Sequence, residues 1–282
     1  MELTLYDNML KDFDDGKAQI LITLDFSSAF DCIRVNQLAE TLEEEFGFKE
    51  TALKLLKSYF TGRSYVIELD GIKSDRQPLE IGTGQGSTLS CKGFALATNQ
   101  LNLIPGRYGL ICFQYCDDLS ILITFLPGDN FERVKEKILG CLNDILEYCL
   151  GHGLALNCDK THGLVIAKEK TAKKVKELLD ANPMEFDGEV IKFENEIELL
   201  GIPIRADLKL DEFVNEKVKK CTKKLAMLRK LNISALSVRK QLAVSTVLAP
   251  LDYGNALLTG ASKRQWKNAK KSYEVLFGIY PD

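Results

Sequence analysis

The stretch Phe113–Leu122, FQYCDDLSIL, sets two adjacent carboxylates, Asp117 and Asp118, inside an otherwise apolar, strand-forming run. Apolar residues alternate on both sides, so the pair marks a tight turn between two paired strands. Neighbouring like charges need water or a cation to coexist. The two acids therefore read as metal ligands.

Working outward, Ile20, Leu21, Ile22 and Leu24 form a continuous apolar run that suits a buried strand ending at Asp25. A carboxylate at the end of such a strand is costly without a partner. Asp25 fits either a helix cap for the Ser-Ser-Ala-Phe segment that follows or a second ligand for the cation at Asp117.

Downstream, Ile81–Leu101 holds Gly82, Gly84 and Gly86 within five residues, then Ser87 as an N-cap and a helix. Such a loop lets backbone approach a ligand closely, although it matches neither a P-loop nor a dinucleotide fingerprint. A plain turn fits the same residues.

The remaining pattern surrounds these segments. Met1–Gly16 reads as a helical lead-in, Val35–Phe46 and Glu50–Phe60 as two amphipathic helices, and the residues around Asp70-Gly71 as a hairpin. Phe131–Leu150 carries one apolar helical face and stops at Gly151. A loop and a strand follow, then a helix at Thr171–Leu179 and an extended pair, Glu189–Phe193 with Ile197–Ile204. This order predicts an α+β layer, an antiparallel sheet with helices on one face. From Asp211 the chain reads as helix, with further helices at Ser237–Leu248 and Lys263–Phe277.

Charge divides the chain in two. The net is −3, yet residues 205–282 hold sixteen Lys/Arg against seven Asp/Glu, +9, which leaves −12 for residues 1–204. An acidic part suited to cations is joined to a basic part suited to a phosphate backbone. None of the eight cysteines forms a C-x-x-C pair and there are two histidines, so a structural zinc site is disfavoured and reduced thiols are expected. Cys112 and Cys116 fall on one predicted strand face. With no run of about 18 apolar residues and an acidic start, the expectation is a soluble, intracellular protein, cytoplasmic or nuclear, with no membrane partner.

Five segments in order, LDFSSAFD, GTGQGSTLS, FQYCDDLSIL, GLALNCDKT and IELLGIPI, resemble the catalytic motifs of the reverse transcriptases of non-LTR (LINE-type) retrotransposons, from about Lys17 to the C-terminal region. VLAPLDYGNALL resembles the stretch after the thumb. The resemblance implies a right-hand polymerase palm over residues 1–204 and a basic helical thumb and post-thumb region over 205–282. Fingers are largely absent and would come from a missing segment or another chain.

The implied activity is RNA-directed DNA polymerisation, adding deoxynucleoside triphosphates to a DNA primer on an RNA template. Asp25, Asp117 and Asp118 would hold two Mg²⁺ ions, with Mn²⁺ as a substitute. Phe26, Phe30, Gln85 and Gly86 would meet the nucleotide, with Phe30 rejecting a 2′-hydroxyl unless it is simply core. Lys160 would protonate pyrophosphate unless it only makes a surface ion pair. Leu200 and Gly201 would grip the primer. Gly84 stands where the family usually has Pro, which loosens the loop, and the same features would also suit a silent remnant that keeps only nucleic-acid binding.

Overall fold

The computed structural model describes residues 2–83, 87, 89–231 and 235–253. The expected helix at Lys263–Phe277 and most of the post-thumb stretch lie outside them. In chain order come α1 (Glu2–Asp14), β1 (Ala18–Ser27), a 3₁₀ turn (Ala29–Asp31), α2 (Val35–Glu44) and α3 (Glu50–Phe60). Short strands β2 (Arg63–Tyr65), β3 (Glu68–Leu69), β4 (Ile72–Lys73) and β5 (Gln77–Leu79) form a hairpin arm, followed by α4 (Ser90–Ala97) and α5 (Ile104–Arg107). Next are β6 (Ile111–Tyr115), β7 (Asp118–Phe125), α6 (Phe131–His152), β8 (Ala155–Ile166) and α7 (Glu169–Ala181). Then come β9 (Glu185–Phe186), β10 (Glu189–Val190), β11 (Lys192–Glu194), β12 (Glu196–Leu199) and β13 (Ile202–Arg205). Helices α8 (Asp211–Lys230), α9 (Leu236–Ala243) and α10 (Ala249–Asp252) complete the described chain, with a π-helical turn over 244–248.

These residues gather into two compact units. One spans 12–194; the other joins the described residues up to Lys11 with those from Asn195 onward. The first is built on a five-stranded sheet in the order β11-β8-β1-β7-β6. Its centre is β1, whose run of apolar residues has neighbours on both sides. Ile20, Ile22, Leu24 and Phe26 alternate onto one face and share a core with Leu38 and Leu42 of α2, Phe94 of α4, Ile138, Leu142 and Ile145 of α6, and Val175 and Leu179 of α7.

The fold is mixed α+β, and the sheet is mixed rather than antiparallel. β11 runs parallel to β8, because the chain returns to that edge through α7 and the β9–β10 hairpin, a crossover long enough to restore the strand direction. This also corrects the expected pairing of Glu189–Phe193 with Ile197–Ile204. The first stretch divides between β10 and β11, and β12 pairs with β13 in a hairpin of the second unit.

Several boundaries differ from the sequence reading. α6 continues past Gly151 and ends at Gly153, the residue with the left-handed φ of 72° that frees the last carbonyls to be capped. α4 starts at Ser90, not after a Ser87 cap. The helix expected over Ser237–Leu248 changes at Val244 to a π turn. In the second unit, Cys221 and Val247 are buried together, and Tyr6 donates a hydrogen bond to the Leu208 carbonyl at 2.5 Å. None of the described helices is long and apolar enough to cross a membrane.

Candidate active site

The pleat of β1 fixes where Asp25 points. Because Leu24 and Phe26 go to the helix-covered core, Asp25 goes to the other face, in line with Thr23 and Leu21. β1 runs on to Ser27, so Asp25 is a strand residue and not the cap of the following turn. Ser28, at φ 51°, takes the cap position of that turn without a side-chain bond. The β1–β7 register ends at Leu24↔Leu119, and one residue further on each strand stand Asp25 and Asp118.

The β6–β7 hairpin brings the third acid. Tyr115 pairs with Asp118, which leaves Cys116 and Asp117 as a two-residue turn. Cys116 has φ 53°, a conformation that glycine usually supplies at the first position of such a turn. The expected common face for Cys112 and Cys116 therefore does not exist, since Cys116 has left the strand. Gln114 secures the turn: its amide donates to the Cys116 carbonyl at 3.0 Å and to Thr98 Oγ1 at 2.7 Å, and Asn102 donates to Gln114 Oε1 at 3.0 Å.

The charges of the three acids are coupled. Asp118 is held above the ordinary carboxylate range, first by partial desolvation and then by the negative charges of Asp117 and Asp25. It still presents an open side to solvent. The Cys116 thiol is pushed up to about 11 by burial, by a hydrogen bond with the Cys91 thiol, and by Asp117 and Asp118.

Lys160 arrives by a bulge. Between Thr23↔His162 and Asp25↔Asn157, four residues of β8 face the single residue Leu24 of β1. This loop of strand carries Lys160 Nζ to 3.1 Å from Asp25 Oδ2. The Lys160 side chain is 64% exposed, so it can leave the carboxylate without unfolding anything. Among the described residues no three His, Cys, Asp or Glu side chains are gathered closely enough to hold a metal ion as they stand. The donor set of Asp25, Asp117 and Asp118 is nonetheless all carboxylate oxygen, the chemistry that suits a hard divalent cation, and the raised Asp118 shows charge that such an ion would relieve.

The expected nucleotide contacts divide. Phe26 is 4% exposed and lies edge-to-face on Phe94 at 5.8 Å, so its side chain belongs to the core and not to a substrate surface. Phe30 is half-buried and tilted on the same ring at 5.4 Å. Gln85 and Gly86 lie outside the described residues, as does Gly84, but the loop's entry is fixed: the Gly82 and Thr83 amides donate to the carbonyls of Ile33 at 2.8 Å and Phe30 at 2.9 Å. The loop therefore leaves from beside Phe30. Leu200 and Gly201, at φ 50° and 76°, form the turn of the β12–β13 hairpin in the other unit, where Tyr253 Oη donates to the Leu200 carbonyl.

Sequence reasoning missed two supports. Gln114 is one; a polar side chain between Phe113 and Tyr115, three before the first acid, was its signal. The other is Arg63, which donates to the Thr83 carbonyl at 3.1 Å and lies 4.8 Å over the ring of Tyr59, while the Tyr59 hydroxyl pairs with Ser87 Oγ. The hairpin arm thus braces the glycine-rich loop.

Fold and site together define a mixed α+β protein with three carboxylates at one end of its central sheet. Residues 4–204 match the model of the reverse transcriptase (RNA-dependent DNA polymerase) family, and the chain belongs to that family. Among solved structures it is similar to telomerase from Candida albicans in complex with a TWJ fragment of telomeric RNA, at 11% identity over 97% of this chain and 47% of that one, TM-score 0.48. It is also similar to apo telomerase from Candida tropicalis, at 13% identity over 98% and 50%, TM-score 0.47. The chain spans half or less of the length of these structures.

Proposed function

We propose that this chain is an RNA-directed DNA polymerase of the non-LTR retrotransposon kind, a palm at residues 1–204 followed by a basic thumb at 205–282. It would extend a DNA primer along an RNA template with deoxynucleoside triphosphates. The observation that supports this best is the placement of Asp25 and Asp118 at the same end of adjacent strands, with Asp117 beside them in a braced turn. In a member of the reverse transcriptase family, these are the groups expected to hold Mg²⁺.

Asp25, Asp117 and Asp118 would hold the ions, whose chemistry is to acidify the primer 3′-hydroxyl and to neutralise charge on the departing pyrophosphate. The residues themselves supply position and protons. Lys160, whose ammonium now pairs with Asp25 at 3.1 Å and whose side chain is largely exposed, would offer its Nζ proton to the leaving pyrophosphate. Phe30, its ring packed on Phe94 and its carbonyl bonded at the origin of the glycine-rich loop, would bar a 2′-hydroxyl. Gln85 and Gly86 would meet nucleotide and template, Leu200 and Gly201 the primer. The lysines of α8 would follow the duplex backbone without reading sequence.

A second reading, a silent family member that binds nucleic acid without synthesis, is favoured by one observation: Asp25 is ion-paired with Lys160. Primer extension on an RNA template with Mg²⁺ and four deoxynucleotides, beside Asp117→Asn, separates the two. Extension by the parent alone supports the polymerase. Salt-sensitive binding without extension supports the silent binder.

A further inference from the structure

The β6–β7 hairpin leaves an edge open at the end away from its turn. The two-residue turn closes on the pair Tyr115↔Asp118, and bonded pairs recur at every second residue, Phe113↔Ser120 and Ile111↔Leu122. β6 begins at Ile111, whereas β7 runs on to Phe125. Thr124 is next in that series, so its amide and carbonyl point away from β1, to a place that no strand covers among the described residues. The Thr124 side chain is pinned separately: its hydroxyl donates to Asp12 Oδ2 at 2.9 Å and accepts from Gln19 Nε2 at 3.4 Å. The open backbone pair is thereby held in place.

A cleft of about 330 Å³ lies at this edge, between Gly109, the end of β7 and the first turns of α6. Arg133 and Lys137 of α6 line it, and neither makes an ion pair among the described residues. Asp129 lines it too, but its carboxylate already accepts the Leu126 amide at 2.8 Å. Ile123 and Phe125 pack into the core beneath α6, so Thr124 between them faces the other side of the sheet.

The geometry points to a docking site for an extended acidic segment of a partner protein, added antiparallel to β7 as a further strand. Its central residue exchanges two backbone bonds with Thr124, and the residues before and after it turn towards α6. Those two positions stand about 6.7 Å apart along a strand, and Arg133 and Lys137 about 6 Å apart along their helix. Acids at both positions thus meet one cation each, and the recognised pattern is acid, any residue, acid. A nucleic-acid backbone fits less well. Phosphates offer acceptors alone, which leaves the Thr124 carbonyl unmatched and sets a second anion beside Asp129. The proposal stands apart from the polymerase reading, because none of these residues belongs to the acidic site at the other end of β7.

The test follows the fluorescence anisotropy of a labelled Thr-Glu-Val-Glu-Thr peptide with the full chain. Expected are saturable binding, a loss of about tenfold in the double variant Arg133→Glu, Lys137→Glu, and recovery in that variant with Thr-Lys-Val-Lys-Thr. Both substituted residues are exposed, so the variant should keep the parental melting temperature. Methylating the central valine nitrogen removes the donor to the Thr124 carbonyl and should also weaken binding about tenfold, and bound peptide should slow hydrogen exchange at the Thr124 amide. Undiminished binding of the methylated peptide overturns strand addition, and the absence of saturable binding up to about 1 mM overturns the site. A labelled single-stranded RNA that displaces the peptide, and itself binds the double variant less tightly, would make the cleft a phosphate site. A parent that sediments as a dimer beside a monomeric double variant would make it a contact between copies. Either result overturns the proposal.

Discussion

The side-chain amide of Gln114 donates to the backbone carbonyl of Cys116 at 3.0 Å, so a strand residue holds the turn it leads into. A non-glycine residue in the left-handed region costs about 1–2 kcal/mol, and a hydrogen bond returns about 1 kcal/mol of that. The turn is therefore close to balance and depends on its brace. Gln114→Leu should loosen it. The expected result is a loss of about 1 kcal/mol in stability and a rise of several-fold in the Mg²⁺ concentration needed for half-maximal extension. An unchanged Mg²⁺ requirement would show that the turn holds its shape without the amide.

Asp118 makes stability depend on pH in a definite direction. Its folded-state pKa is raised, first by desolvation and then by Asp117 and Asp25, so its neutral form is the one the fold favours. A raised group contributes stability at pH below its unfolded value, and that contribution is lost as pH rises through the folded one. At neutral pH the ionised carboxyl thus opposes folding in the metal-free chain. Asp118→Asn should melt higher than the parent at pH 7, and the gap should close below about pH 4, where the parent is protonated as well. Added salt should narrow the gap, because the acid is partly exposed. Equal melting temperatures at both pH values would show that its neighbours' charges are already screened.

Much of this arrangement was legible before the structure. The run of apolar residues through Ile20–Leu24 gave the central strand because a buried parallel or two-sided strand has no polar face to alternate. The Asp-Asp pair gave the hairpin because charge inside a strand-forming run needs a turn. Three features were not legible. The β8 bulge falls in a stretch that reads as a loop and a strand, and nothing local to Lys160 says which residues it faces. The parallel return of β11 is set by the crossover before it, so no three-residue strand can announce its partner. The burial of Phe26 follows from β1 continuing past Asp25, where the Ser27-Ser28 pair suggested an earlier stop.

Lys160 tests whether an ion pair is a bystander. Its ammonium meets Asp25 at 3.1 Å with most of its surface in water, and exposed pairs of this kind contribute about 0–1 kcal/mol to stability. Lys160→Ala should therefore leave the melting temperature nearly unchanged. If its proton serves pyrophosphate departure, the maximal rate of extension should fall about a hundredfold. A variant with parental rates at every pH would leave Lys160 as a surface ion pair only.

Phe30 and Gly82 can be separated although their backbones touch. Replacing Phe30 by Ala removes the half-buried ring that tilts on Phe94, so a stability loss of about 1–3 kcal/mol accompanies any catalytic effect. The informative readout is the ratio of ribonucleotide to deoxynucleotide incorporation, which a purely structural Phe30 would not change. The expected result is a rise of at least tenfold.

Gly82→Ala strikes the loop instead of the ring. Gly82 has φ 99°, and a Cβ there would stand 3.0 Å from the Asp31 Cα, backbone that cannot swing aside as a side chain would. The amide bonds from Gly82 and Thr83 to Ile33 and Phe30 are the tie that would break first, since the added carbon pushes these two segments apart. Loss of two such bonds and the backbone strain together amount to about 2–4 kcal/mol. The substitution should therefore lower the melting temperature more than Phe30→Ala while leaving sugar discrimination intact, because Phe94 still holds the Phe30 ring. If Gly82→Ala relaxes discrimination as strongly as Phe30→Ala does, the loop and not the ring reads the sugar.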